Sequence, residues 1–244
     1  MDNIICMKWG TKYGAHYVNI LATMVKRNMK RPYRFVCFTD DGTDLKPGID
    51  VRPLPEMSLP GHLPERGWQK LTVLGDKLDD LTGTALFLDL DIVVLDSLDP
   101  FFEEPGRFRI INDWDFPNSV IGNSSVFRFE IGKHGDVLEH FIREGEKVRG
   151  EHRNEQAYLS HAIHQKGILE YWPEEWCRSF KRHCLHPFPM CYFSAPQKPV
   201  GAKVVIFHGN PCPDAAISGW VGKLGFRYVK PTQWVAEYWH ENLD

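Results

Sequence analysis

Residues 85–95 read ALFLDLDIVVL, an almost unbroken apolar run with two aspartates in its middle. A stretch this apolar predicts a buried strand over Ala85–Leu95, the strongest in the chain. Two carboxylates inside such a run are costly to bury unless something offsets their charge, and a divalent cation does that best. Side chains alternate along a strand, so Asp89 and Asp91 are expected to point to one side, where two oxygens can share a hard metal. The plainer reading, that they cap a strand or open a turn, fits less well, because apolar residues resume directly after Asp91 and no Gly or Pro follows before Pro100.

Upstream of this run the chain alternates strand-like and helix-like segments. Residues 3–9, NIICMKW, are β-prone, and after Gly10 and Gly14 a helical pattern puts Tyr17, Ile20, Leu21, Met24 and Val25 on one face. A second strand, Tyr33–Thr39, ends at the turn signal Asp40-Asp41-Gly42. A helix is expected near Trp68–Leu78, where Leu71, Leu74 and Leu78 recur at three- and four-residue steps. This β-α-β-α-β order predicts a mostly parallel sheet covered by helices, with ligands at the carboxyl ends of the strands. Further on, Arg107–Ile111 and Ser124–Phe129 read as strands, Val137–Glu146 and Asn154–His164 as amphipathic helices, and Lys203–His208 as another buried strand. Thr232–Leu243 reads as a short helix whose mix of acids and aromatics favours packing on the core over docking on a membrane.

The 244 residues contain no Gly/Ser-rich, Pro-rich or single-sign charged linker, which predicts one domain over residues 1–244. Within it, residues 1–95 form a first half, 96–230 a second half and 231–244 a C-terminal helix. A net charge of −3 with Lys and Arg scattered along the chain disfavours a nucleic-acid partner. No segment reaches the roughly 18 to 20 apolar residues that span a bilayer, and the N-terminus carries no leader pattern, so a cytoplasmic protein is expected, with contact to a membrane surface left open. The six cysteines suit reduced core residues better than a disulfide framework. Cys177, Cys184 and Cys191 near His183 and His186 invite a zinc reading, but no CxxC pair supports it, and buried thiols fit better.

Asp89-Leu90-Asp91-Ile92-Val93 also fits locally the nucleophile motif of haloacid-dehalogenase-like phosphatases. That fold usually places this strand first and supplies a later acidic pair, whereas the late strand here ends in His208-Gly209-Asn210-Pro211. The phosphatase is therefore the runner-up, beside a nucleotide-sugar-binding protein without catalysis.

Several features together resemble the GT-A-fold glycosyltransferases, closest in motif order to glycosyltransferase family 8 with its glycogenin-like and lipopolysaccharide-modifying members. Gln69-Lys70-Leu71 resembles the family's Lys-Leu element, and Asp89-Leu90-Asp91 its DxD motif. Asn123-Ser124-Ser125-Val126-Phe127 resembles its Asn-Ser/Ala-Gly-Val-Phe/Leu segment. Glu155-Gln156-Ala157-Tyr158-Leu159 resembles its Asp-Gln-x-x-Leu segment, and Val204–Gly209 its terminal strand with a metal-binding His. The chain departs from the pattern at Glu155, at Ser125 and after His208, where the family's lysine is missing.

The resemblance implies a single α/β GT-A domain with a Rossmann-like, mostly parallel central sheet flanked by helices. It implies transfer of a sugar, with retention, from a nucleotide sugar, a UDP-hexose by preference, to a glycan or lipid-linked saccharide. Asp89, Asp91 and His208 would ligate Mn2+ or Mg2+, and Lys70 would add a fixed positive charge at the diphosphate. Tyr13 would stack on the base, while Lys8 and Asp40 would approach base or ribose. Asp113 and Asn123 would hydrogen-bond sugar hydroxyls. Glu155 and Gln156 would lie at the anomeric carbon, where one of them stabilises positive charge on the ring or attacks it.

Overall fold

The computed structural model describes residues 1–57, 67–103, 107–223 and 227–243. The first half builds β1 (Asp2–Lys8), α1 (Ala15–Asn28), β2 (Tyr33–Thr39), β3 (Asp50–Pro53), β4 (Thr84–Leu88) and β5 (Ile92–Val94). Then follow β6 (Phe108–Asn112), β7 (Gly122–Glu130), α2 (Gly135–Glu151), α3 (Glu155–Gln165), β8 (Leu169–Tyr171), β9 (Cys177–Ser179) and β10 (Val204–Ile206). Two short helices, α4 (Pro213–Ser218) and α5 (Gln233–Tyr238), lie near the C-terminal end.

A seven-stranded sheet runs in the order β3-β2-β1-β4-β7-β6-β8. Every neighbouring pair is parallel except the two that β7 makes, with β4 and with β6. The expected mostly parallel α/β sheet is present, and β7 is its reversed strand. β1 needs no polar face because both sides of it are covered. Ile4 and Cys6 pack with α1 and the smaller sheet, whereas Ile5 and Met7 pack with Trp68, α2 and α3. All five residues predicted for the buried face of α1 are buried, and Lys26 and Arg27 complement the dipole in its last turn. In the tail, Val235 and Trp239 are buried, as the packed-helix reading requires.

Two expectations change. The run Ala85–Leu95 is not one strand: β4 pairs with β1 and β7 in the large sheet, while β5 pairs antiparallel with β10 in a three-stranded sheet, β5-β10-β9. The run stays apolar because both sheets bury it, and hydropathy reports burial without telling which sheet a residue joins. The helix expected to reach Leu78 is a 3-10 turn over Trp68–Leu74, ended by Gly75, whose N–H bonds the Thr72 carbonyl. Leu71, Leu74 and Leu78 are nevertheless all buried, and Trp68 stacks on Phe141 of α2 at 4.9 Å between ring centroids. Cys6, Cys37, Cys177, Cys184 and Cys191 are buried free thiols.

Candidate active site

The acid pair sits on the seam between the two sheets. The Asp89 N–H still donates to the Ser125 carbonyl of β7, at 2.9 Å, as one more rung of the large sheet. Two residues on, the Asp91 carbonyl accepts from the N–H of Phe207, just beyond β10, at 3.1 Å. Leu90 between them is buried in the core. The side chains therefore face a common cavity because the chain changes sheets there, and not through the strand alternation expected from sequence.

Other elements bring their ends to the same edge. β7, being reversed, starts where β4 stops and delivers Asn123, Ser124 and Ser125. α3 begins beside them, capped by Asn154, whose Oδ1 accepts from the Ala157 N–H at 3.2 Å, so Glu155 and Gln156 occupy its first turn. Gly67 has φ +82°, and a Cβ there would lie 3.2 Å from Glu155 Oε2, so glycine lets the Trp68–Leu74 turn approach α3 and presents Lys70. The result is a cavity of about 540 Å3 lined by Tyr13, Lys70, Asp89, Asp91, Asn123, Glu155, Gln156 and His208, among others.

Lys70 is the electrostatic centre. Its side chain is 8% exposed, and its Nζ lies 2.8 Å from Asp89 Oδ1 and 3.7 Å from Glu155 Oε1. It also donates to the carbonyl and hydroxyl oxygens of Ser124, each at 3.2 Å, and the Ser124 hydroxyl donates to Glu155 Oε1 at 2.7 Å. Burial alone would push the Lys70 amine down, but Asp89 and Glu155 hold it above the ordinary lysine range. Burial raises the Glu155 carboxyl against the pull of Lys70. Among the described residues Asp91 has no such cation in contact. Burial, then the charge of Asp89, lifts its carboxyl to about 6, although the Tyr13 hydroxyl donates to its Oδ2 at 2.5 Å.

That donor set suits a hard divalent cation: two carboxylates share one cavity, and one of them is buried with its charge incompletely offset. His208 does not complete it. Its Nε2 lies 2.7 Å from Ser179 Oγ and its ring stacks on Trp114, with 5.9 Å between centroids. Among the described residues no three His, Cys, Asp or Glu side chains gather where one metal ion could sit. The three expected ligands line one cavity without converging on one point: the acids form the pair, and Ser179 holds the histidine on the cavity wall.

Three other expected positions move. Lys8 is buried and donates to the Asp41 carbonyl at 3.0 Å, while Asp40 accepts from the Gly10 N–H at 2.8 Å. Both residues tie the β1 and β2 loops together and neither lines this cavity. Asp113 does not line this cavity, and its Oδ2 accepts from Gln156 Nε2 at 2.9 Å, which holds the amide. Gln156 Oε1 in turn faces the Ser124 N–H at 3.4 Å. Asn123 lines the cavity while its Oδ1 accepts from the Ser125 N–H at 3.0 Å. Tyr13 packs on Tyr17, with centroids 4.7 Å apart, under the Lys12 amine. Two further residues join the site: Ser124, which the sequence offers only as part of the Asn123–Phe127 segment with no role of its own, and Lys12, which stands in no pattern that marks it apart from a loop.

No protein-family model matches the sequence, and no curated protein matches it. Solved structures do match. One is the galactosyltransferase LgtC with donor and acceptor sugar analogs, at TM-score 0.61 and 15% identity over 86% of this chain and 88% of that one. Another is the glycosyltransferase GlyE of Streptococcus pneumoniae TIGR4, at TM-score 0.57 and 13% identity over 87% of this chain and 56% of GlyE. The bifunctional WbbM matches at TM-score 0.55 and 12% identity over 86% of this chain and 46% of its own. With β7 reversed in a mostly parallel sheet and an acid pair at the carboxyl edge, the chain has the GT-A fold that these glycosyltransferases share.

Proposed function

We propose that this protein transfers a sugar, with retention, from a nucleotide-sugar donor, a UDP-hexose by preference, to a glycan or lipid-linked saccharide. The observation that carries the reading is the gathering of Lys70, Asp89, Asp91, Asn123, Glu155 and Gln156, drawn from four separate elements, around one cavity. A carboxylate pair beside a buried lysine is suited to a diphosphate bridged to the protein by a divalent cation. That cation, Mn2+ or Mg2+, supplies Lewis-acid stabilisation of the departing diphosphate when bound. Asp89 and Asp91 would hold it.

Lys70 keeps a full positive charge in a dry site, which favours negative charge growing on a leaving oxygen nearby. Gln156 lines the cavity with its amide nitrogen committed to Asp113, and its carbonyl oxygen, 3.4 Å from the Ser124 N–H, would set partial negative charge beside a sugar ring that gains positive charge. An active-site variant of LgtC exchanges a glutamine for glutamate, so an active-site glutamine occurs in that enzyme as well. Glu155 is bound by both Lys70 and Ser124 and serves to position Lys70. Asn123 would hydrogen-bond a sugar hydroxyl. The fold likeness gives the phosphatase alternative no support.

Isothermal titration with UDP and Mn2+ tests the reading. Metal-dependent binding that disappears in Asp91→Asn is the expected result; metal-independent binding, or an unchanged variant, sinks it. His208 held by Ser179 favours a second reading, a nucleotide-sugar binder without transfer. NMR separates the two, since slow metal-dependent hydrolysis of a UDP-hexose occurs only if the cavity is catalytic.

A further inference from the structure

A second cavity, also of about 540 Å3, adjoins the first across His208, which lines both. Its walls come from the π-helical turn Phe180–Cys184, the 3-10 turn Met190–Tyr192, the stretch after β10, and the small two-stranded sheet of Trp220–Val221 and Tyr228–Val229. Its charge is opposite to that of the first. Lys181, Arg182 and Arg227 line it against a single carboxylate, Asp115, in a protein whose net charge is −3. Asp115 is already committed to Arg182, with Oδ1 2.8 Å from Nε and 2.5 Å from Nη2. Among the described residues Lys181 and Arg227 have no carboxylate partner, and the Lys181 amine instead donates to the His208 carbonyl.

The surplus of positive charge is felt by its neighbours. Burial first, then Arg227, pushes the Lys181 amine down, and burial, then Lys181, pushes the His208 ring down to about 4. Three cations against one carboxylate, gathered in a concave site beside a proposed transfer centre, make the cavity attractive to an anion. The same cavity has flat aromatic walls, Trp220 and Tyr228, the latter held by Tyr192 stacked on it at 5.1 Å and 6°. Aromatic faces combined with a few polar groups suit a sugar ring.

We propose that this cavity is the acceptor subsite and that the acceptor is a saccharide bearing a phosphate group, gripped by Lys181, Arg182 and Arg227. The inference rests on the sugar-transfer reading above and adds the acceptor's chemistry to it. In the reaction an acceptor hydroxyl oxygen becomes bonded to the anomeric carbon. The bond from that carbon to the donor's diphosphate breaks with its electron pair going to the diphosphate, and the hydroxyl proton passes to the departing diphosphate or to water. The acceptor's phosphate is a handle and does not react. Such a phosphate occurs on a water-soluble sugar phosphate or on a polyprenyl carrier. Phe188, which is 59% exposed, lines the cavity, and Met190 and Phe193, 50% and 73% exposed, follow it within five residues, so a lipid would meet apolar side chains on this segment.

The test is titration of the full chain, with and without saturating UDP and Mn2+, using glucose 1-phosphate, glucose, and phosphatidylcholine vesicles doped with polyprenyl phosphate. The expected result is binding of a phosphate-bearing probe, in solution or on the vesicle, to the UDP-filled protein, with no binding of glucose. Affinity should fall about tenfold or more in Lys181→Gln, which keeps a donor for the His208 carbonyl, and in Arg227→Gln, while UDP affinity stays unchanged. It should also weaken as salt rises. Competition between UDP and the sugar phosphate, or UDP affinity lost in the two variants, would assign the cavity to the donor and overturn the proposal. So would failure of every phosphate probe, or binding indifferent to both substitutions. If UDP with Mn2+ does not bind the unmodified protein, the transfer reading fails by itself, because the phosphate arm is also read without nucleotide.

Discussion

The two adjoining cavities differ in how they are built, and the difference teaches what each can tolerate. The acidic one stands on the ends of β4, β7 and α3, and its charges are interlocked: Lys70 answers Asp89 and Glu155, and Ser124 ties Lys70 to Glu155. The basic one stands mainly on turns and loops, and two of its three cations have no carboxylate in reach among the described residues. The first is stabilised from within, whereas the second relies on what arrives from solution. Substitutions in the acidic cavity should therefore damage both chemistry and folding, and those in the basic cavity only recognition.

The largest effect should come from the acid pair. Asp89→Asn or Asp91→Asn keeps shape and removes a charge, and metal-dependent transfer or donor hydrolysis should fall by about a thousandfold, roughly 4 kcal/mol of transition-state stabilisation. Lys181→Gln, by contrast, should leave donor hydrolysis without acceptor near its starting rate. Equal losses in hydrolysis at both places would erase the contrast between the cavities.

Next comes Lys70→Met, which removes the cation from between two carboxylates in a buried cluster. Breaking such a cluster by deleting one partner typically costs about 3 kcal/mol or more, because the remaining charges lose their compensation. Urea unfolding should show this loss, while Arg227→Gln, at an exposed position, should shift stability by less than about 0.5 kcal/mol. A Lys70→Met protein as stable as its parent would mean that water already compensates Asp89 and Glu155.

The same difference in construction explains how much the sequence could say. The sequence reading of β2 as Tyr33–Thr39 agrees with the structure at both ends, because Phe35–Phe38 is an apolar run buried in the sheet and Asp40-Asp41-Gly42 stops it. Asp89 and Asp91 are legible from the apolar run that holds them, whereas Lys70, Asn123, Glu155 and Gln156 are legible only through the motifs that resemble the glycosyltransferase family. The break between Leu88 and Ile92 is not legible, since both sheets demand the same apolar side chains. The hydrogen bond between Asp113 and Gln156 joins the end of β6 to α3, a partnership that no local spacing reveals. Lys181 and Arg227 carried no signal at all: they are distant in sequence, and only loop geometry brings them to one wall.

A smaller effect should separate shape from charge at the acidic cavity. Gly67→Ala places a methyl group on a backbone with φ +82° and against Glu155 Oε2 at 3.2 Å. Left-handed backbone costs a non-glycine residue about 1 to 2 kcal/mol. The variant should lose stability on that scale, measured by thermal unfolding, and its transfer rate should fall further than its stability if the turn presents Lys70. Wild-type stability would instead show that the turn has room to shift away from α3.

Near neutrality the smallest effect should come from a residue in neither cavity, and measuring it fixes the background against which both are compared. His134 precedes α2, packs edge-on against Phe108 at 5.5 Å, and buries an Nδ1 with no hydrogen-bond partner. Burial, then the charge of Lys166, lowers the ring to about 4 from an ordinary 6.5. The folded protein thus refuses a proton that the unfolded chain accepts below 6.5, so the stability due to neutral His134 is complete above that pH and drains away as pH falls toward about 4. Urea midpoints measured down this interval should decline in the parent and decline less steeply in His134→Leu, which cannot titrate. If the two slopes coincide, acid sensitivity belongs to the cavities, and their carboxylates and histidines become the groups to test.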